Sequence, residues 1–245
     1  MKIEIIKCLK DNYSYLVIDE TTKIACVIDP SEAKPIIDVV EQKKINLKYI
    51  LNTHHHYDHV GGNLELKEKY NCEIIGYRGD KDRIPEIDIL LDDNQVWKRN
   101  KFEAKIYHIP GHTTGHIAFH FFNEKKIFTG DTLFSLGCGR IFEGTYEQMF
   151  NSLKKIKTLP KDTEIYCGHE YTVQNSNFCI TYDSDNLLLK NKIAEIKKKI
   201  ENGLPSLPTI LNDEIQCNIF LKAKDIQTFS KLRDLKDNFQ FIELD

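Results

Sequence analysis

Four histidines and an aspartate fall in one short stretch, Thr53-His54-His55-His56-Tyr57-Asp58-His59. It follows directly on an apolar run at residues 47–51 that reads as a buried strand. Packing gives no reason to gather imidazoles and a carboxylate there, and a solvated loop rarely draws histidine four times over. Metal binding does give a reason. His54 and His56 are two apart, so in an extended segment they project to the same side. Asp58 and His59 follow where the chain can turn toward a helix, so one loop can feed two adjacent metal positions. Neutral imidazole and carboxylate suit Zn, Fe or Mn, and the lack of nearby cysteine argues against a structural zinc knuckle.

A metal centre needs more donors, and three motifs offer them. His112 lies in Pro110-Gly111-His112-Thr113-Thr114-Gly115-His116, Asp131 in Phe128-Thr129-Gly130-Asp131-Thr132, and His169 in Cys167-Gly168-His169-Glu170-Tyr171. Each follows a short apolar segment and is flanked by glycine, which permits tight turns and close approach to an ion. Alone each would be an ordinary turn residue. With the first motif they supply the ligands that two metals need.

Strands are expected at residues 15–18, 24–28, 47–51, 73–77, 105–109, 117–122, 126–128 and 164–167. Helices are expected before Asn46, over 60–70 and over 145–158, the last opened by Thr145 and Gln148 at capping-box spacing. Beyond residue 171 the pattern turns helical, at 187–200 and 225–235, with the linker Gly203-Leu204-Pro205-Ser206-Leu207-Pro208 between. We therefore place a mixed α/β catalytic domain at 1–170 and a helical substrate-binding domain at 171–245.

A net charge of −3 marks no general nucleic-acid binder. Met1 to Lys7 alternates charged and apolar residues, so no signal peptide is expected there, and no segment approaches a membrane span. The seven cysteines, Cys8, Cys26, Cys72, Cys138, Cys167, Cys179 and Cys217, are scattered and odd in number, so reduced thiols in a cytoplasmic protein are expected.

The ordered motifs THHHYDH, PGHTTGH, FTGDT and CGHEYT resemble the metallo-β-lactamase superfamily and, within it, the glyoxalase II (hydroxyacylglutathione hydrolase) family. The match runs from Leu9-Lys10-Asp11-Asn12-Tyr13 to Lys236-Asp237. The resemblance implies an α+β, four-layer αβ/βα sandwich with a C-terminal helical domain. It implies two divalent metals, zinc before iron or manganese. His54, His56 and His112 would hold the first, Asp58, His59 and His169 the second, and Asp131 would bridge them. His55 and His116 would not ligate, and His108 and His120 read as ordinary strand residues.

The implied reaction is attack of a metal-bridging hydroxide on the thioester of S-(2-hydroxyacyl)glutathione, with Asp58 and Asp131 as the catalytic carboxylates. No Gly-x-Ser-x-Gly elbow competes for the role of nucleophile. The resemblance assigns glutathione to Arg140 of Gly137-Cys138-Gly139-Arg140, to Tyr171, and to Arg233 and Lys236, which share a helix face at a spacing of three. Phe142 stands where the family often has tyrosine, and Asn218-Ile219-Phe220-Leu221-Lys222 departs from the family's Asn-Pro-Phe-x-Arg. The rival within the superfamily is a glutathione persulfide dioxygenase with one iron. A monomer working with a glyoxalase I type lyase, without nucleic acid or membrane, is expected.

Overall fold

The computed structural model describes residues 1–239. It divides into two compact units: Met1–His108 with Gly115–Gly130, and Ile109–Thr114 with the described chain from Asp131 to Phe239.

In the first unit, β1 (Lys2–Cys8), β2 (Asn12–Ile18), β3 (Ile24–Ile28), β4 (Asn46–Leu51), β5 (Glu73–Tyr77) and β6 (Ile89–Leu91) form one sheet in that order. β1 to β3 are antiparallel, and β3 to β6 run parallel. The helices α1 (Ala33–Lys43) and α3 (Asn63–Tyr70) share one core with this sheet, where Leu16, Val27, Ile36, Leu47 and Leu66 meet. Leu16 is fully buried, so Leu16→Ala should lower unfolding stability by about 2–5 kcal/mol; a denaturant titration of the metal-free protein checks it, and a change within error would mean the site collapses without a void.

The antiparallel strands β7 (Val96–Arg99), β8 (Phe102–His108), β9 (Ile117–Phe121) and β10 (Lys126–Gly130) follow. Aromatic contacts tie them to the first sheet, Tyr15 to Phe128 at 5.3 Å and Tyr49 to Trp97 at 5.4 Å between ring centroids.

Two elements differ from the sequence reading. Residues 2–8 form β1, which the alternation of charged and apolar residues had not singled out. The helix expected over 60–70 is two helices, α2 (Tyr57–Val60) and α3, broken at Gly61-Gly62. There the backbone runs against the loop after β3: Gly62 N donates to Pro30 O at 2.8 Å, and a Cβ on Gly61 would lie 2.5 Å from Ser31 O. This close approach fixes the path of the chain between α2, which carries Asp58 and His59, and α3.

In the second unit, β11 (Leu133–Phe134) and β12 (Gly137–Cys138) make a small hairpin. Then come α4 (Tyr146–Lys157), β13 (Glu164–Cys167), α5 (Thr172–Tyr182), α6 (Leu187–Glu201), β14 (Thr209–Ile210), α7 (Leu211–Cys217), α8 (Ile219–Lys222) and α9 (Ile226–Asp237). The expected capping box opens α4: Gln148 N donates to Thr145 Oγ1 at 3.1 Å and Thr145 N to Gln148 Oε1 at 2.9 Å. Phe178, Phe220, Phe229 and Phe150 join α5, α8, α9 and α4 through successive ring contacts. Lys197, Lys198 and Lys199 form an exposed face of α6.

Candidate metal centre

In the first unit β4 delivers Asn52-Thr53-His54, and α2 opens on Tyr57. The imidazoles of His54 and His56 are 4.7 Å apart, and those of His54 and His59 are 4.2 Å apart. A residue outside the sequence motif governs them. Asp29, at the end of β3 and 2% exposed, accepts from Thr53 N at 2.7 Å, from Thr53 Oγ1 at 2.6 Å and from His59 Nδ1 at 3.0 Å. The Thr53 hydroxyl gives its proton to Asp29, so it accepts from His54 Nδ1 at 3.0 Å. Both imidazoles therefore carry their proton on Nδ1 and present the Nε2 lone pair. His59 Nε2 faces Asp58 Oδ2 at 3.6 Å. Asp58 is held by Asn12 Nδ2, which donates to its Oδ2 at 3.0 Å and to its carbonyl at 3.1 Å.

His55 turns away from this group. Its Nδ1 meets buried Asp80 at 3.1 Å, and Arg83 also pairs with Asp80. His116 stacks on His54 at 4.6 Å. These contacts suit buttresses of the loop. His120 lies inside β9, where burial, aided by Lys105, pushes it down to about 4, and His108 ends β8.

The second unit repeats the pattern. His112 Nδ1 donates to Arg140 O at 2.8 Å, so Nε2 is again the lone-pair nitrogen, and it faces Asp131 Oδ2 at 3.6 Å. His169 Nε2 lies 3.2 Å from the same oxygen. Asp131 follows Gly130, whose φ of 46° and whose approach to Thr53 Oγ1, 2.3 Å from where a Cβ would be, require glycine. A nitrogen lone pair held against a carboxylate oxygen is repulsive unless a proton or a metal cation lies between them. That donor chemistry, with Nδ1 fixed by a carboxylate or carbonyl, fits divalent metal in each unit.

His112 and Asp131 also line a cavity of about 350 Å3 together with Arg140, Tyr171, Arg233 and Lys236. The structure thus brings all four expected glutathione contacts to one place. Tyr171 stacks on His169 at 4.7 Å. Arg140 is exposed, with Nε on Asp237 at 3.2 Å. Lys236 rests over Phe178 at 5.3 Å, and burial, aided by the nearby charge of Arg233, pushes its pKa down to about 8. Arg233 is different. It is 4% exposed and gives NH1 to Cys138 O and NH2 to Asp237, each at 2.8 Å. Phe142 is 62% exposed, its ring 5.1 Å from that of His112. A second cavity, of about 440 Å3 between α4 and α8, contains none of these residues.

Two family profiles match the chain: the metallo-β-lactamase superfamily over residues 10–169, and the hydroxyacylglutathione hydrolase C-terminus over residues 170–239. A hydroxyacylglutathione hydrolase from Pelagibacter ubique is 66% identical over 239 residues, spanning 98% of this chain and 100% of that protein. The chain belongs to the hydroxyacylglutathione hydrolase family. Among solved structures, ETHE1 from Myxococcus xanthus superposes with a TM-score of 0.74 at 21% identity, over 99% of this chain and 93% of that one. TTHA1623, crystallised in a di-iron-bound form, superposes with a TM-score of 0.57 at 25% identity, over 69% of this chain and 92% of that one. The metallo-β-lactamase fold, with mixed α/β sheets and a helical C-terminal region, is thereby shown for this member of the hydrolase family.

Within the family frame, sequence reasoning missed Asp29 and Asn12 as orienting partners. An acidic residue ending an apolar strand was the available signal.

Proposed function

We propose that this chain hydrolyses the thioester of S-(2-hydroxyacyl)glutathione, such as S-lactoylglutathione, to a 2-hydroxy acid and glutathione. One observation carries the reading: a cavity whose wall joins two candidate metal ligands, His112 and Asp131, to the cationic Arg140 and Lys236. The 66% identity to a hydroxyacylglutathione hydrolase supports the substrate.

Two divalent ions, zinc before iron or manganese, would be held by His54, His56 and His112 and by Asp58, His59 and His169, with Asp131 shared. The donor pattern within each unit and the di-iron form of TTHA1623 support this set. Such ions supply a nucleophile from water near neutral pH and polarise a carbonyl oxygen. The chain's own residues do the rest. Asn12 holds Asp58 so that its carboxylate keeps one orientation. Arg140 and Lys236 draw the carboxylates of the tripeptide, and Tyr171 flanks it. Phe142 offers an apolar ring beside His112 and no hydroxyl. A thiolate leaves readily, so a strong general acid is less necessary than for an amide.

The test is release of free thiol from S-lactoylglutathione alongside metal analysis. Hydrolysis is expected with two metals per chain, abolished by chelation and restored by metal. Full activity with one metal per chain would defeat the binuclear reading. Turnover of glutathione persulfide in place of the thioester would defeat the reaction.

Lys236 gives a pH signature. Below about pH 8 it is charged and attracts a substrate carboxylate; above, it loses that charge. Because kcat/KM reports the free enzyme, kcat/KM for the glutathione thioester should fall as pH rises through about 8. Lys236→Ala should lower it by roughly ten-fold at pH 7, as expected for losing a charge-assisted contact of about 1.5–3 kcal/mol, and should flatten that limb. An unchanged limb in the variant would remove Lys236 from binding.

We place the metal ligands in a catalytic domain at residues 1–170, which also lends Arg140 to the tripeptide, and the other tripeptide contacts in a helical domain at 171–245. A cytoplasmic monomer fed by a glyoxalase I type lyase fits this substrate. The seven buried thiols, none in a disulfide, suit a reducing compartment, and no helix among the described residues is long and apolar enough to cross a membrane.

A further inference from the structure

The β11–β12 hairpin is gripped by side chains from four helical elements. Leu136, left-handed at φ 55°, gives its N–H to Glu214 Oε2 of α7 at 2.8 Å. Asn218, which caps α8, donates Nδ2 to Gly137 O and to Glu214 Oε2, each at 3.0 Å. From α5, Asn175 Nδ2 donates to Ser135 O and Cys179 Sγ to Leu136 O, each at 3.1 Å. From α9, Arg233 NH1 donates to Cys138 O at 2.8 Å. Glu214 and Asn218 are wholly buried.

Closing a hairpin of this size does not require a buried carboxylate. Burial pushes the Glu214 carboxyl up, a cost only partly offset by its donors Leu136, Asn218 and Thr209. What the grip secures lies at the two ends of the hairpin. At its entry stands Asp131. At its exit, Gly139 N donates back to Thr132 O at 3.2 Å, and the next carbonyl, that of Arg140, fixes the His112 ring through Nδ1. One rigid turn therefore places a carboxylate and orients an imidazole that face each other.

We propose that Glu214, Asn218 and Arg233 are positioning residues for the metal centre, fixing the hairpin and through it the Asp131 carboxylate and the His112 imidazole. The proposal rests on the reading of Asp131 and His112 as metal ligands. It gives the C-terminal helices a second task beside substrate binding, and it separates Arg233 from Lys236. Arg233 acts through backbone on the metal, whereas Lys236 acts on the substrate.

The experiment compares Glu214→Leu, Arg233→Met, Glu214→Gln and Asp131→Ala for zinc affinity by chelator competition and for kcat and KM with S-lactoylglutathione. Circular dichroism checks folding. Glu214→Leu and Arg233→Met should weaken zinc binding by about 10- to 100-fold, as loss of an outer partner of a ligand does. Their kcat should fall while KM changes little. Glu214→Gln should restore most of the affinity, because an amide oxygen still accepts from Leu136 N while its amide group faces Thr209 Oγ1. If Glu214→Leu does not fold, Arg233→Met decides alone. A folded Arg233→Met with parental zinc affinity and a raised KM overturns the proposal and returns Arg233 to the substrate. If Asp131→Ala itself keeps parental zinc affinity, the ligand reading falls and the positioning role falls with it.

Discussion

Asp131→Ala should strip metal and rate together. The imidazoles of His112 and His169 converge on one oxygen of this carboxylate, at 3.6 and 3.2 Å. On the proposed ligand set, the alanine variant would leave two neutral nitrogens and no counter-charge for the cations they would hold. Loss of an outer partner typically costs about 10–100-fold in metal affinity or activity, so removal of a carboxylate proposed to serve both ions should exceed about 100-fold in each. Elemental analysis after gel filtration at equimolar metal should find less than the parent's content, and thioester hydrolysis should fall in step. Excess metal should restore little of the rate, because the charge is missing and not only the occupancy. Parental metal content and rate in Asp131→Ala would rule out its bridging role.

A candidate metal-binding loop was legible because histidine is rare and four of them sit in one loop. A cluster of that kind has few structural explanations, so residue type and spacing point to metal binding, but only the family resemblance sets His55 and His116, which lie in the same motifs, apart from the candidate ligands. The capping box at Thr145 and Gln148 was legible for the same reason: the chemistry is local, and both partners lie within one turn. Asp29 was not. Its partner Thr53 lies 24 residues away, and the two meet because β3 and β4 pair in parallel and place Asp29 N on Leu51 O at 3.0 Å. Glu214 meets Leu136 across 78 residues. A single acidic residue at such a distance carries no pattern, and only the fold shows what it holds. The break at Gly61-Gly62 escaped notice in a similar way, since the apolar spacing continues through it and the backbone that crowds it comes from Ser31.

Asp29→Asn should weaken the metal centre while leaving the fold in place. Asparagine tolerates the left-handed φ of 47° that this position adopts, and it matches aspartate in size. What changes is the direction of two hydrogen bonds. With its oxygen kept on Thr53 N, the new amide points its two protons at Thr53 Oγ1 and at His59 Nδ1. His59 must then accept at Nδ1 and carry its proton on Nε2, the nitrogen that faces Asp58. Thr53 Oγ1, now an acceptor from the amide, turns its own proton toward His54 Nδ1, and that ring is driven to the same tautomer. The opposite rotamer of the amide would set an N–H against the Thr53 N–H, 2.7 Å away in the parent. One isosteric change thus places a proton on the ligating nitrogen of two imidazoles at once. Each outer partner is worth about 10–100-fold in metal affinity, so a combined loss above about 100-fold is expected at pH 7. Imidazole proton shifts in a nitrogen-15 NMR spectrum of the metal-free protein report the tautomers directly. They should show His54 and His59 protonated at Nδ1 in the parent and at Nε2 in the variant. If the variant keeps both Nδ1 protons and the parent's metal affinity, Asp29 is a structural acid and does not orient the ligands.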